Sequence, residues 1–259
     1  MQQRVNFFIA GVQKGGTTAL DAMLRQHPNI EMAKFKEVHF FDNDALDWSA
    51  PDFVHLHSQF DWARRRVIRG EATPIYTYWP EALMRLKQYN SEARLIVGLR
   101  HPTFRAYSHW RMEVTRKAET MGFSEAIRIG RERVLGSPSA VHRVYSYVER
   151  GFYDNQIRLL KALFPTEQLH FFRTDAMWAS PDVELVRVEQ FLGVEQRLLP
   201  SREYIVPLRS RATTAISAND VQYLNETFRE TIASLGELTG LSFDDWENPD
   251  YVEPMTPDS

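Results

Sequence analysis

The sequence predicts an α/β fold, a single P-loop-like domain with a central parallel sheet flanked by helices. Short apolar runs alternate with longer amphipathic runs, which is the βαβα pattern of such folds. The first apolar run passes directly into a glycine turn that opens an amphipathic run. The run Ala93–Leu99 is nearly all apolar, as expected of a strand that helices cover on both faces. A chain of 259 residues, 43% of them hydrophobic, is long enough to bury this core.

The apolar periodicity predicts four strands and seven helices. The predicted strands are Val5–Ala10, Arg66–Gly70, Ala93–Leu99 and Leu169–Arg173. The predicted helices are Thr18–Gln26, Pro80–Gln88, Phe104–Lys117, Phe123–Arg133, Asp154–Phe164, Pro181–Leu192 and Ala218–Leu235. Because ligands bind at the carboxyl ends of the strands in such sheets, the residues after Ala10 and Leu99 are the first candidates for a site.

Charge is spread unevenly along the chain. Residues 212–259 hold ten acids and one base, whereas residues 1–211 carry a net charge of +6. A mildly basic body suits a small polyanionic ligand, but no dense basic stripe with interleaved aromatics indicates nucleic acid. We expect one domain over residues 1–240 and an acidic, proline-containing tail over 241–259, of which the stretch Asp244–Ser259, with three prolines, is loosely packed on the surface.

The sequence bears on the cellular compartment and the oligomeric state only through features that it lacks. The chain has no cysteine, so disulfides and thiolate metal sites are excluded. No stretch is apolar over the length that a membrane span needs. We expect a soluble, cytoplasmic protein, and nothing in the sequence indicates its oligomeric state.

The run Gly11-Val12-Gln13-Lys14-Gly15-Gly16-Thr17-Thr18 lies between a predicted strand and a predicted helix. Backbone N–H groups in such a turn bind phosphate, with help from the helix dipole. The spacing matches a P-loop, but Thr17 stands where an ATPase has lysine, and the lysine of the loop is Lys14. A purely structural glycine turn is the alternative, and the added cation and two hydroxyls favour phosphate.

The residue after the second apolar strand bears on metal use. A P-loop ATPase places an acid there to hold Mg²⁺, whereas this chain has Arg100. An arginine repels the metal and binds an anion, so Lys14 and Arg100 predict phosphate binding without metal. Ser108 follows eight residues later and can face the same anion. The alternative is an ordinary surface arginine and serine.

A third candidate group lies in Lys36-Glu37-Val38-His39-Phe40-Phe41-Asp42. In an extended segment Glu37 and His39 point to the same side, which makes a general base with a partner that orients or polarises it. The alternative is a surface strand that Phe40 and Phe41 anchor to the core. In the insert that follows, the aromatic residues either stack on an acceptor or form a small satellite core; they are Trp48, Phe53, Phe60 and Trp62.

Together these elements resemble the sulfotransferases that use 3′-phosphoadenosine 5′-phosphosulfate (PAPS), especially the heparan-sulfate-type branch and its bacterial relatives. The loop 13–18 is similar to that family's 5′-phosphosulfate loop, and residues 99–110 resemble its 3′-phosphate site, with Arg100 and Ser108 as ligands. The segment 36–42 resembles the one that carries the catalytic base of the 3-O-sulfotransferases. Weaker likenesses occur at Gly70-Glu71-Ala72-Thr73-Pro74, Glu149-Arg150-Gly151-Phe152-Tyr153 and Phe191-Leu192-Gly193.

The resemblance implies transfer of a sulfuryl group from PAPS to a hydroxyl of a small-molecule or carbohydrate acceptor, with PAP as product and no metal. Glu37 is then the base, Lys14 stabilises the leaving phosphate, and His39 assists Glu37 or binds the sulfuryl oxygens. The resemblance also implies that the residues of the loop bind the donor's 5′-phosphosulfate; they are Lys14, Gly15, Gly16, Thr17 and Thr18.

Two departures limit the likeness. The heparan enzymes usually have lysine where Ala72 stands, and they carry a late Lys-Gly loop over the nucleotide, in place of which this chain offers Arg209 or Arg211. The sequence does not identify the acceptor. A P-loop kinase or NTPase, and a catalytically inactive nucleotide-binding protein, remain the alternatives.

Overall fold

The computed structural model describes residues 3–196 and 216–254. Its strands are β1 (Phe7–Gly11), β2 (Ile30–Met32), β3 (Ile68–Ala72), β4 (Arg94–Leu99) and β5 (Leu169–Arg173). Its helices are α1 (Thr17–Leu24), α2 (Val54–His57), α3 (Ala82–Tyr89), α4 (Pro102–Thr115), α5 (Phe123–Ala126), α6 (Glu132–Leu135), α7 (Tyr153–Leu163), α8 (Thr174–Ala179), α9 (Pro181–Leu192) and α10 (Ala218–Thr239). The described residues form two compact units, of which the first comprises 3–99, 160–196 and 254 and the second 100–159 and 216–253.

The first unit holds a five-stranded sheet in the order β2-β3-β1-β4-β5, with every pair parallel. β1 is the central strand, and its Ile9 lies opposite Ala72 of β3 and Ile96 of β4. Parallel strands need crossovers that place helices on the faces of the sheet. The sheet therefore confirms the predicted α/β class with a parallel central sheet, and all five carboxyl ends lie along one edge.

Apolar side chains cover both faces of this sheet. On one face Phe7 and Ile9 of β1 pack with apolar residues of α1, α8 and α9. On the other face Phe8 makes edge-on ring contacts with Phe41, Tyr76 and Tyr89 at centroid distances of 5.5–6.5 Å. Successive side chains of a strand point to opposite faces, so the run of apolar residues in β1 supplies both layers.

The second unit is helical, and α4 and α10 pack within it. Thr103 of α4 donates to the Asn225 side chain of α10 at 2.7 Å, and Phe152 meets Phe228 with centroids 5.4 Å apart. The helix α10 starts with Ser217 as N-cap, whose hydroxyl accepts from the Asp220 amide at 3.1 Å. The contacts of Asn225 and Phe228 hold the middle of α10 to the rest of the unit.

A few aromatic side chains anchor the chain after α10 to the second unit. Trp246 is only 1% exposed, and His101 lies 5.3 Å from its ring and stacks on Tyr251 at 4.9 Å. The expectation of a loosely packed tail is therefore wrong for Trp246 and Tyr251, whose rings pack on His101 at the start of α4, whereas residues 247–250 are exposed. The division at residue 240 stays a prediction.

Several predicted elements differ from the structure. The expected helix Phe123–Arg133 is divided into α5, a 3₁₀ turn over Ile129–Arg131, and α6, since Arg128 leaves the helical region with φ −113° and ψ −93°. The strand expected over Arg66–Gly70 lies two residues later, as β3. The short elements β2, α2 and α8 were not predicted, because three to six residues are too few to show a period.

Candidate functional site

The glycine loop joins the end of β1 to the start of α1. It lies against the end of β4, where the Val12 amide donates to the Gly98 carbonyl at 3.0 Å. A side chain on Gly15 would collide with that same carbonyl oxygen, and Gly16 adopts a φ of 79° at the N-cap of α1. Both positions therefore require glycine, one for close approach and one for its backbone conformation.

The loop delivers several backbone amides to one end of α1. The first helical hydrogen bond runs from Leu20 N to Gly16 O at 3.1 Å, so the amides of residues 17–19 precede the ladder. Thr18 is exposed at this end, Thr17 is buried, and Lys14 is half-buried with a φ of 71°. The structure thus brings the loop cation, the glycine pair and the two hydroxyls together at a helix N-terminus, the usual setting for an anion.

The segment that holds Glu37 and His39 follows β2 and is not extended, contrary to the sequence prediction. Glu37 has a φ of 63° and His39 a φ of 53°, so both are left-handed. Phe40 and Phe41 are buried, as the alternative interpretation required, and they anchor the segment without making it a strand. Two left-handed residues separated by Val38 still place the carboxylate and the imidazole together.

Glu37, His39 and Asp42 form a linked group of side chains. His39 Nε2 lies 3.6 Å from Glu37 Oε2, and His39 Nδ1 lies 2.8 Å from Asp42 Oδ2. The hydrogen bond to Asp42, aided by Glu37 and opposed by burial, raises the pKa of His39 to about 9. His39 is therefore an imidazolium at neutral pH, and the fully buried Asp42 carboxylate orients its ring.

The Glu37 carboxylate is ionised in this setting. Burial favours its neutral form, but the contacts with His39 and with Lys36, whose Nζ lies 2.5 Å from Oε1, outweigh that effect and lower the pKa of Glu37 to about 2. The side chain keeps 36% of its surface exposed. It is therefore both accessible and in the form that accepts a proton.

The Glu37 segment and the glycine loop lie at the same edge of the sheet. The Glu37 amide donates to the carbonyl of Ala72, the last residue of β3, at 2.9 Å. Ala72 is level with Ile9 of β1, just before the loop, and the Thr77 amide donates to Ala10 O at 3.1 Å. The carboxyl ends of β1 and β3 thus carry the loop and the ionised carboxylate side by side in the first unit.

Arg100 and Ser108 belong to the second unit. Arg100 follows the last residue of β4, its carbonyl accepts from the Tyr153 hydroxyl at 2.8 Å, and its guanidinium holds the Glu253 carboxylate at two points. Ser108 lies half-buried on α4. No acid takes the place after β4, but one from the end of the described chain pairs with the arginine found there.

Other predicted residues have different outcomes. Arg209 and Arg211 lie outside the described residues. Within 3–196 and 216–254, no group of three or more His, Cys, Asp or Glu side chains is arranged to hold a metal ion. In the same part of the chain, none of the helices is both long and apolar enough to cross a membrane.

The aromatic insert forms a satellite core. Phe53 lies between Phe40 and Tyr89 at centroid distances of 5.5 and 4.8 Å, and Trp48 packs on Phe40 at 5.7 Å. The outer face of Trp48 is covered by the Arg85 guanidinium at 4.6 Å. Trp48 and Phe53 therefore pack on rings of the first unit, and Phe60 packs on Trp62 at 5.8 Å, which favours the core interpretation of the two left open.

Sequence reasoning missed three partners of the candidate residues. Asp42 could have been found from its spacing of three after His39, and Lys36 from its position beside Glu37. Glu253 gave no such signal, since 153 residues separate it from Arg100. Long-range ion pairs of this kind carry no local pattern.

Comparison with known proteins agrees with the motifs. A family model described as the sulfotransferase domain matches residues 4–229. Human heparan sulfate glucosamine 3-O-sulfotransferase 5 is 31% identical over 201 residues, which cover 76% of this chain and 56% of the relative. The chain thus spans little more than half the length of that relative.

Solved structures show the same likeness. A sulfotransferase from Alicyclobacillus acidocaldarius matches with a TM-score of 0.82 and 25% identity, over 95% of this chain and 100% of the neighbour. Mouse sulfotransferase SULT7A1, solved in complex with PAP, matches with a TM-score of 0.53 and 14% identity, over 91% of this chain and 86% of its own. At that identity the second match concerns the fold alone.

Proposed function

We propose that this chain, which belongs to the sulfotransferase domain family, transfers a sulfuryl group from PAPS to a hydroxyl group of a small-molecule or carbohydrate acceptor. The observation that carries the proposal is the ionised, accessible Glu37 beside a protonated His39, at the sheet edge that also holds the glycine loop. A base and an anion cradle at one edge are what an attack by a hydroxyl on a phosphosulfate requires.

The donor supplies the sulfuryl group, whose bond from sulfur to the bridging phosphate oxygen breaks as the acceptor oxygen bonds to sulfur, leaving PAP. Glu37 accepts the hydroxyl proton as this bond forms, for which its ionised state prepares it. His39 then holds the neutralised carboxyl in place or binds the sulfuryl oxygens. Its protonated ring, fixed by Asp42, serves either role.

Each phosphate of the donor has its own proposed partners. The amides at the start of α1, with Lys14, Thr17 and Thr18, hold the 5′-phosphosulfate, and Lys14 stabilises the charge that develops on the leaving phosphate. The Arg100 guanidinium and the Ser108 hydroxyl hold the 3′-phosphate, where a planar fork gives two parallel bonds. Closure over the nucleotide by Arg209 or Arg211 stays a prediction.

Metal independence is part of the proposal. Cationic groups of the chain, Lys14 at the loop and Arg100 after β4, take the place that Mg²⁺ and its acidic ligand have in a P-loop ATPase. A cytoplasmic location also stays a prediction. The proposed acceptor is a hydroxyl group on a carbohydrate or small molecule. Ala72, which stands at the position of the heparan enzymes' lysine, is buried.

Nucleotide selectivity tests the donor assignment directly. We expect PAP to raise the melting temperature more than ADP or AMP does, since only PAP presents both phosphates; a ligand at 100 times its dissociation constant adds about 2.7 kcal/mol to the free energy of unfolding. Arg100→Ala should remove most of PAP's advantage over AMP, while Arg229→Ala, on the exposed face of α10, should not. Equal shifts for PAP and AMP in the wild type would remove Arg100 and Ser108 from the site.

Transfer itself is tested with labelled PAPS and a panel of hydroxyl acceptors. Product with at least one acceptor supports the proposal. Hydrolysis of ATP with Mg²⁺ and no use of PAPS would assign the chain to the kinase or NTPase alternative. PAP binding without transfer to any acceptor, and without slow release of sulfate, would favour an inactive nucleotide-binding protein.

A further inference from the structure

Four consecutive amides, those of residues 37–40, donate to β3 and the turn that follows it. We call residues 37–40 the base segment. The bonds run from Glu37 N to Ala72 O (2.9 Å), Val38 N to Glu71 Oε1 (3.2 Å), His39 N to Thr73 Oγ1 (3.3 Å) and Phe40 N to Tyr76 OH (3.2 Å). The base segment is thus fixed amide by amide to one short stretch of chain.

Glu71 connects the two middle bonds. Its Oε1 accepts from the Val38 amide and, at 2.5 Å, from the Thr73 hydroxyl. Since that hydroxyl gives its proton to Glu71, its oxygen faces the His39 amide as an acceptor. Glu71 Oε1 therefore accepts directly from the Val38 amide and orients the Thr73 hydroxyl that accepts from the His39 amide. These two bonds fix the backbone next to Glu37 and at His39.

The base segment needs such support because its backbone is strained. Glu37 and His39 both have positive φ, and a non-glycine residue held there costs about 1–3 kcal/mol. Conformations of this kind persist only where the surroundings over-determine them. The acceptors on β3 and its turn supply that constraint from a fully buried position, since Glu71 and Thr73 are each 0% exposed.

We propose that Glu71 is a positioning residue which, together with Thr73, fixes the backbone of the base segment and so holds the Glu37 carboxylate against His39. The proposal rests on the proposed function in that it takes Glu37 as the base. In this role Glu71 contacts neither PAPS nor the hydroxyl compound that receives the sulfuryl group. It acts through the conformation of residues 37–39.

The protonation state of the Glu71 carboxyl is consistent with a role as a hydrogen-bond acceptor that does not depend on a negative charge. Burial raises its pKa to about 7, against the lowering effect of the hydrogen bonds from Thr73, Val38 and Tyr76. Near neutral pH it therefore exists in both forms, and Oε1 accepts from the amide and the hydroxyl in either. A glutamine at this position keeps the same acceptor without the charge.

This gives a clear set of variants. Glu71→Gln retains the acceptor, and Glu71→Leu removes it with little change in volume. Thr73→Val removes the hydroxyl that accepts from the His39 amide and donates to Glu71. Glu184→Leu is the matched control, because it deletes another buried carboxyl of the first unit, one that contacts His170 at 2.7 Å rather than the base segment.

The first readout is the NMR titration of the His39 ring, assigned by comparison with His39→Asn, and it needs no activity. Displacement of the base segment moves His39 away from both carboxylates that raise its pKa, Asp42 and Glu37. We therefore expect Glu71→Leu to lower the pKa of His39 from about 9 towards its ordinary 6.5, and Glu71→Gln and Glu184→Leu to leave it high. A high, unchanged His39 pKa in folded Glu71→Leu protein would overturn the proposal.

The second readout is turnover. Misplacing a catalytic group by about 1 Å costs on the order of 10²-fold, so kcat should fall by about that factor in Glu71→Leu and less in Thr73→Val, with PAP affinity unchanged. In a Glu37→Gln background, Glu71→Leu should cause little further loss, because both changes remove the same step. Multiplying losses would contradict a role exercised through Glu37. A wild-type chain inert towards PAPS whose His39 titration still responds to Glu71→Leu would refute the proposed function while leaving the positioning role intact.

Discussion

Arg100 and Glu253 form a two-point ion pair, in which Arg100 Nε lies 2.6 Å from Glu253 Oε1 and Nη2 contacts Oε2. Both side chains are largely buried, at 15% and 14% exposure. A carboxylate presents two oxygens to a guanidinium much as a phosphate does. The residue expected to bind the 3′-phosphate therefore already binds an anionic group of the same chain, and a nucleotide must replace Glu253 to use this fork.

Glu253→Gln should tighten PAP binding. Hydrogen bonds to charged groups contribute about 1.5–3 kcal/mol, so removing the competing carboxylate should lower the dissociation constant of PAP by about tenfold and leave that of AMP nearly unchanged. The melting temperature without nucleotide should fall, because Arg100 loses its partner. Calorimetric titration with PAP and AMP measures both effects.

Glu247→Gln is the control, since Glu247 is an exposed acid of the same stretch of chain. It removes one negative charge without touching Arg100. Equal tightening in the two variants would mean a general charge effect. Unchanged PAP affinity in Glu253→Gln would mean that Arg100 does not hold the 3′-phosphate.

Glu37→Gln should lower turnover by about 10²–10⁴-fold while PAP affinity stays near the wild-type value. Glutamine keeps the shape of the side chain and cannot accept the hydroxyl proton. Lys14→Ala should weaken PAPS binding and also slow the chemical step, because the same cation meets charge in the ground state and in the transition state. Initial rates over a range of PAPS concentrations separate the two patterns.

Exposed residues provide the controls for this pair. Glu167→Gln and Lys117→Ala make the same chemical changes at exposed positions and should leave kcat and KM unaltered. Wild-type turnover in Glu37→Gln would make Glu37 a structural residue and require another base. A loss confined to KM in Lys14→Ala would restrict that lysine to binding.

The parts of this arrangement that the sequence predicted are local in the chain. One apolar run predicts the strand before Gly11–Thr18, and the glycines of this stretch predict a tight turn into a helix. Arg100 was chosen as a candidate because the lack of an acid after a buried strand is visible in the sequence. β5 and α9 have the bounds that the sequence predicted, because the type of residue changes where each element ends.

The unpredicted parts depend on tertiary contacts. Extended geometry was expected for Glu37 and His39, and the left-handed backbone they adopt is set by acceptors on Ala72, Glu71 and Thr73, more than thirty residues away. The ion pair of Arg100 has the same origin, since its partner lies near the other end of the chain. Glu71 has one sequence signal, a lone acid between Gly70 and Ala72 in a strand, but nothing local indicates what it binds.

The pH dependence of turnover should follow His39. Glu37 is ionised at every practical assay pH, since its pKa is about 2. The pKa of His39 is raised to about 9, so the imidazolium persists where an ordinary histidine is neutral. We expect kcat to stay level from pH 6.5 to about 8.5 and to fall as pH rises through 9, and this fall should be absent in His39→Asn.

The same shift predicts how stability changes with pH. A group whose pKa is raised on folding stabilises the fold below its unfolded value, and that contribution is lost as pH rises through the folded value. The difference in free energy of unfolding between wild type and His39→Asn should therefore be largest below about pH 6.5 and disappear above about pH 9. Denaturant unfolding at a series of pH values measures it, and a difference that grows with pH would refute the protonated assignment.

Metal removal distinguishes the proposed chemistry from that of a P-loop kinase. Phosphoryl transfer from ATP depends on Mg²⁺ to offset charge on the β- and γ-oxygens. Here Lys14 lies in the loop, and the residue after β4 is Arg100, so the proposed chemistry offsets the charge of the donor with side chains. We expect transfer from PAPS to continue in EDTA with little loss of rate. The assay compares EDTA, added Mg²⁺ and untreated protein at one PAPS concentration, with Arg100→Ala in parallel. A rate that disappears in EDTA and returns with Mg²⁺ would show that a metal, rather than Lys14 and Arg100, offsets the charge.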